Sequence, residues 1–348
     1  MEMLWFWMVS VMVAIYSALD GFDFGAGIMH HFVARNDPER RQVLAAIGPL
    51  WDGNEVWLLA AGGSLFLAFP KVLAAGFSGY YLAMFMVVWT LLLRGISIEF
   101  RSHVSDRMWR AFWDVTFTFA SVLLPILLGA ALGNVVRGVP LDESGYFNIP
   151  LFTHFGTENP VGILDWYTVL MGVFVLVTVA NHGALFLGWK TEGPVHDRAC
   201  RMALPLSVMT AVLGGLATLA TGKVNPDIYA NLPHAPLAWA GLSIFLLGLV
   251  TIFWGQLRHR VGVAFAGSLA FIVGILAATA GSVFPVMLKS SLAPAFSLTA
   301  YNSAVSAQGL WTGLKWWLFG FPLAVGYVIF LFRLHRGKVK ASADGKGY

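Results

Sequence analysis

The first 27 residues, MEMLWFWMVSVMVAIYSALDGFDFGAG, decide the class of fold. An apolar run reaches Leu19 and then meets Asp20-Gly21-Phe22-Asp23-Phe24-Gly25-Ala26-Gly27. A membrane span needs about 20 mostly apolar residues. No basic region opens the run and no small-residue cleavage site follows it, so it reads as a first span, not a removable signal. The remaining sequence repeats the theme. Apolar residues make up 58% of the 348 and charged residues 11%. Soluble chains carry roughly 45–50% and about 25%. Mean hydropathy is +0.72. A soluble core of this size could not hide so much apolar surface. That excludes a soluble enzyme, a disordered tail protein and a secreted disulfide scaffold. Long continuous runs, not alternation, exclude a β-barrel. The single Cys200 excludes an internal disulfide and any Cys-based metal or iron–sulfur centre.

The expected fold is therefore an all-α integral membrane protein. Nine spans are predicted, near 4–27, 50–69, 74–97, 112–135, 165–188, 202–221, 237–256, 262–285 and 312–333. Lys and Arg test this count. One alternate set of connections and the tail hold 17 of the 22, from Arg35 to Lys346. Lys71, Arg137, Lys223, Lys289 and Lys315 fall on the other set. By the positive-inside rule the N-terminus is outside and the C-terminus cytoplasmic. The net charge of +4 reflects those cytoplasmic residues, not nucleic-acid binding. Two long outside loops are expected, near 136–164 and 286–311, rich in turn-forming residues. No short-period repeat is apparent. A single membrane domain over 1–336 is expected, with a first half over 1–136, an outside loop over 137–164 and a second half over 165–336. A frayed polar tail over 337–348 follows.

Ionisable residues inside apolar spans are costly and mark functional hypotheses. Asp20 and Asp23 close the first span at i, i+3, on one helix face. Gly21 and Gly25 form a GxxxG pattern that permits close helix approach. Asp52 and Glu55, again at i, i+3, open the second span within Trp51-Asp52-Gly53-Asn54-Glu55-Val56-Trp57. Arg94 lies near the inner end of the third. The orientation puts all five at similar depth, toward the cytoplasm. Four carboxylates cannot pair one to one with a single guanidinium, so protons or water must reach them. Two compatible readings stand. One is a structural lock between helices, helped at Asp52 and Glu55 by the helix dipole. The other is a proton relay.

Other candidates are weaker. His182, inside the fifth span, reads more readily as a packing residue than as a haem ligand. His30 and His31 are expected to be solvated at the first inner interface. The methionines, Met84 and Met86 included, read as gap-fillers. No P-loop, dinucleotide fingerprint, zinc motif or nucleophile elbow is present. A secondary transporter with an intramembrane acidic site is the alternative class, although no inverted repeat or interrupted helix is apparent. A non-catalytic membrane scaffold is the other.

The motifs Asp20-Gly-Phe-Asp23-Phe-Gly-Ala-Gly27 and Trp51-Asp-Gly-Asn-Glu-Val-Trp57 resemble subunit II of the cytochrome bd-type quinol oxidases. So do Gly62-Gly63, Phe69-Pro70, Arg35-Asn-Asp-Pro-Glu-Arg-Arg41, Gly133-Asn134, Gly138-Val-Pro140 and Thr279-Ala-Gly-Ser-Val-Phe-Pro285. The resemblance covers essentially the whole chain. It implies two four-helix bundles plus one peripheral helix, in the bacterial cytoplasmic (inner) membrane. It implies a haem-free subunit with no catalytic residue or metal site of its own. The partner, subunit I, would carry two b-type haems, one d-type haem and the quinol site, in an electrogenic, non-pumping respiratory enzyme that reduces O2 to water. This chain would support assembly of subunit I and proton uptake. Small single-span accessory subunits, and a structural quinone or lipid, are compatible with the resemblance. Carried over residue by residue, Asp52 sits at the mouth of a proton path, shaped by Trp51, Asn54 and Trp57. Asp20 and Asp23 match the family's acidic motif. Arg94 takes a structural and electrostatic role. Position 55 is Glu where some relatives carry Gln, which adds a titratable group.

Overall fold

The computed structural model describes residues 1–340. The helices are α1 (Glu2–Val33), α2 (Asp37–Ile47), α3 (Trp51–Ala68), α4 (Pro70–Gly79), α5 (Tyr81–Phe100), α6 (Arg107–Arg137), α7 (Trp166–Lys190), α8 (Pro194–Val224), α9 (Asp227–Asn231), α10 (Pro236–Leu257), α11 (Val261–Val283) and α12 (Ala307–Leu334). Eight are long and apolar enough to cross a membrane, and α3 with α4 raises the number to nine if that bent pair is one span. The all-α membrane expectation holds. Helix α1 is the central element and packs against α3, α6, α7 and α11. The peripheral α12 rests on α3 and turns most of its apolar surface outward.

The expected third span, 74–97, is corrected. Residues 70–79 form the separate α4, bent 118° from α3. Pro70 opens α4, where its missing N–H costs nothing, and Phe69 between the helices leaves helical geometry at φ −135°, ψ 58°. Helix α3 spans roughly 27 Å at 1.5 Å per residue, close to a bilayer core. The third long helix is thus α5.

Glycine spacing closes two contacts. A Cβ on Gly25 would lie 2.3 Å from the Val179 carbonyl oxygen, and one on Gly183 would lie 2.0 Å from the Gly25 carbonyl carbon. The backbones of α1 and α7 therefore touch. Gly241 and Gly248 of α10 lie against Gly274 and Gly267 of α11, while Gly255 meets Ala264 and Gly281 meets Ala238, and each glycine series is spaced by seven residues. A Cβ on Gly274 would lie 2.3 Å from the Phe245 amide nitrogen. This glycine seam lets the backbones of α10 and α11 approach closely. Small residues matter here because association in lipid depends on close van der Waals contact.

The two long loops interlock at one end of the bundle. Val139 N–H donates to Lys289 O at 2.9 Å, and Ser291 N–H donates to Val139 O at 2.8 Å. Arg137 pairs with Asp165, which also caps α7 through the amides of Tyr167 and Thr168. The opposite end carries the tail. Gly337 turns the chain at φ +111°. Val339 N–H then donates to Lys190 O at 2.7 Å, and Gln42 Nε2 donates to Val339 O at 2.8 Å. Residues 338–340 are thus strapped to the bundle, not frayed. The rest of the expected tail, 341–348, lies outside the described residues.

Candidate functional site

The heptapeptide Trp51–Trp57 opens α3 and reaches three other helices. Asn54 Nδ2 donates to Asp23 Oδ2 of α1 at 2.8 Å. Glu55 Oε2 accepts from Arg94 Nη2 of α5 at 2.7 Å. Trp57 packs edge-on to Phe321 of α12, with ring centroids 5.7 Å apart. Gly53 leaves room for Leu331 and Tyr327 of α12, and Gly95 for the ring of Trp51. A helix period of 3.6 residues explains how so short a stretch serves several neighbours.

Arg94 is the hinge of the cluster. Its Nη1 donates to Asp20 Oδ1 at 2.5 Å, and its guanidinium lies 4.2 Å from the centroid of the Phe24 ring. Asp20, Asp23 and Arg94 have no exposed surface, whereas the Glu55 side chain is 25% exposed. Asp20 Oδ2 and Asp23 Oδ1 are buried without a hydrogen-bond partner. Asp52 is exposed and makes no ion pair among the described residues. So Asp20, Asp23, Asn54, Glu55 and Arg94 converge as the sequence suggests, and Asp52 stands at the surface beside them. Gly25 makes the close helix contact expected of the GxxxG pair. Gly21 makes only an ordinary one, its nearest neighbour being His182 Cδ2 at 3.5 Å.

Both ring nitrogens of His182 are engaged, Nε2 with Ala18 O at 2.9 Å and Nδ1 with Ser268 Oγ at 2.7 Å. That is the geometry of a packing residue joining α1, α7 and α11. Among the described residues, no three or more His, Cys, Asp or Glu side chains form a group fit to hold a metal ion.

A second cluster escaped the sequence reading. Asp114 of α6 accepts from Arg101 Nε at 2.6 Å and from Arg40 Nη1 at 2.9 Å, and it bonds His30 Nε2 at 2.7 Å. Asp37 adds contacts to Arg101 and Arg110 at 2.9 and 3.1 Å. His30 is wholly buried, which corrects its expected solvation, while His31 is exposed. Asp114 was detectable by the rule that found Asp20, since it is an acid inside the apolar run 112–135. Beside it, Glu39 of α2 holds Arg198 of α8 at 2.8 Å. The Arg198 hydrogen bond, more than any other cause, lowers the Glu39 carboxyl to about 2.

The family described as cytochrome bd terminal oxidase subunit II matches residues 1–335. The chain is 31% identical to cytochrome bd-I ubiquinol oxidase subunit 2 of Escherichia coli K12 over 344 residues, covering 91% of this chain and 89% of that one. It is 32% identical to cytochrome bd ubiquinol oxidase subunit 2 of Bacillus subtilis 168, covering 97% and 96%. The structure of bd oxidase from Geobacillus thermodenitrificans superposes with a TM-score of 0.75 at 19% identity, covering 96% of this chain and 98% of that one, and so shares the fold. These findings, with the apolar helices, describe a multi-pass protein of the bacterial inner membrane and a subunit of an oxidoreductase. The chain belongs to the cytochrome bd terminal oxidase subunit II family.

Proposed function

We propose that this chain is the haem-free subunit of a quinol oxidase and delivers protons from the cytoplasmic side to its haem-bearing partner. The b- and d-type haems, the quinol site and O2 reduction belong to the partner in this reading. The family relatives, two of them ubiquinol oxidase subunits by name, support it. The observation that carries the proton role is the polar line from solvent into the bundle. Glu55 is partly exposed, it shares Arg94 with buried Asp20, and Asp23 lies beside them on Asn54. Asp52 supplies a charged mouth. The unpartnered oxygens Asp20 Oδ2 and Asp23 Oδ1 are acceptors free to take a proton or a water. Arg94 holds the acids at working distance, and its charge tunes their proton affinity. The scaffold role is compatible, because the same contacts join α1, α3 and α5.

The test is steady-state turnover per haem in complexes carrying Asp52→Asn or Glu55→Gln. Slowed turnover with an intact haem spectrum is the expected result. Normal turnover in a fully assembled Glu55→Gln/Asp52→Asn double variant would sink the proton role. A parallel loss of haem and complex yield would assign the cluster to assembly alone.

A further inference from the structure

At the end of the bundle that carries most Lys and Arg, the C-terminus of α7, the start of α8 and the α10–α11 turn enclose a cavity of about 780 Å3. Its floor is apolar, with buried Leu185 and Ala203 among the lining side chains, and the exposed Leu204, Leu257 and Trp189 also line it. Its rim is cationic or imidazole-bearing. Arg201 comes from α8, His196 from the same helix, His259 from the α10–α11 turn and Lys338 from the C-terminal strap. Among the described residues no carboxylate lines it.

Three observations make this more than a surface hollow. Three other cavities between the helices, of about 360, 230 and 250 Å3, have no Lys, Arg or His in their linings, and one of about 540 Å3 among the loops sets Lys71 beside Asp142 and Glu143. The Arg201 side chain makes one hydrogen bond, Nε to Asp197 O at 3.3 Å, which leaves its terminal nitrogens without an acceptor among the described residues. The strap that brings Lys338 here is fixed by a backbone hydrogen bond from Val339 to Lys190 and by one from the Gln42 side chain to Val339 O. The exposed Arg201 and Lys338 therefore stand beside an apolar floor at the level of the ends of the membrane-length helices α7, α8 and α10. An indole at that level is the usual membrane-interface anchor.

We infer that this cavity binds an anionic phospholipid, its phosphate against Arg201 and Lys338 and its acyl chains along Leu204 and Leu257. Basic pockets between helix ends select anionic headgroups in this manner. The site is separate from the acidic cluster, and its test does not read turnover.

The complex, purified in mild detergent, is titrated with phosphatidylglycerol or phosphatidylcholine of matched chains, and bound lipid is counted by native mass spectrometry. The wild type is expected to retain phosphatidylglycerol in preference. Arg201→Gln and Lys338→Gln each weaken that retention about fivefold, one near-surface charge apiece. Leu204→Trp, which crowds the apolar lining and keeps the charges, weakens it too. An unchanged thermal midpoint shows that each variant is folded. Equal retention of both lipids, or retention unaffected by either charge variant, overturns the inference. Displacement of phosphatidylglycerol by millimolar inorganic phosphate, with Leu204→Trp silent, also overturns it and leaves a simple anion site.

Discussion

Arg94 Nη1 lies 2.5 Å from Asp20 Oδ1, and neither side chain reaches solvent. In a medium that solvates charge poorly, such a pair adds little net stability over an apolar one, but breaking it is expensive. Arg94→Leu strands Asp20 and frees Glu55. Asp20→Leu leaves the guanidinium with Glu55 alone. Each single change is expected to cost about 3–5 kcal/mol. The double change removes both charges and is expected to cost less than the two singles together. Unfolding of the detergent-solubilised complex measures all three. Simple additivity would show that the two groups are not energetically paired.

The α1–α7 crossing separates two glycines that look alike in sequence. Alanine at position 25 must move a backbone, since its Cβ would lie 2.3 Å from a carbonyl oxygen. Alanine at position 21 meets only a ring carbon at 3.5 Å, an ordinary contact. Gly25→Ala is therefore expected to lower stability by about 1–3 kcal/mol, the usual cost of overpacking. Gly21→Ala should leave the thermal midpoint nearly unchanged. Equal effects would mean that the helices are looser here than the structure indicates.

Asp114 offers a separation of roles. It gathers His30, Arg40 and Arg101 but makes no contact with the acidic cluster. Asp114→Asn removes the charge that balances buried Arg101. Complex yield and unfolding free energy are expected to fall, the latter by about 3 kcal/mol, while turnover per haem stays near wild type. Glu55→Gln should give the reverse pattern. Both can be read from one preparation of each variant by haem absorbance and oxygen consumption. A turnover defect in assembled Asp114→Asn would join the two clusters in one path.

Much of this was legible in the sequence because membrane burial leaves few options. Hydropathy located the long helices, and the cost of intramembrane charge pointed to Asp20, Asp23, Glu55 and Arg94. What escaped depends on geometry that hydropathy averages away. Phe69-Pro70 was visible as a motif, yet its 118° bend turns on the dihedral angles of one residue. His30 follows an apolar run and precedes basic residues, so only its bond to Asp114, 84 positions away, reveals its burial. The strap at Val339 uses its own backbone N–H and C=O, which carry no side-chain signature at that residue. The glycines at 241, 248 and 255 were countable, but their meaning needed the matching series on α11.

Acid should loosen the α2–α8 junction first. Glu39 ordinarily titrates near 4.5, and Arg198, assisted by the Arg35 amide, brings its carboxyl to about 2 in the folded protein. The folded form thus binds fewer protons at this site than the unfolded form across that interval. Its stabilisation is complete above about pH 4.5 and fades as pH falls toward about 2. The pair also holds the end of α1, because Arg198 bonds Val33 O as well. Glu39→Gln, which cannot titrate, is expected to be less stable than wild type near neutrality by about 1–2 kcal/mol, allowing for solvent screening at the bundle surface. The gap should narrow steadily as both proteins are unfolded at pH 5, 4 and 3. A gap that keeps its full size at pH 3 would mean that the carboxylate charge contributes nothing and that the side chain acts by shape alone.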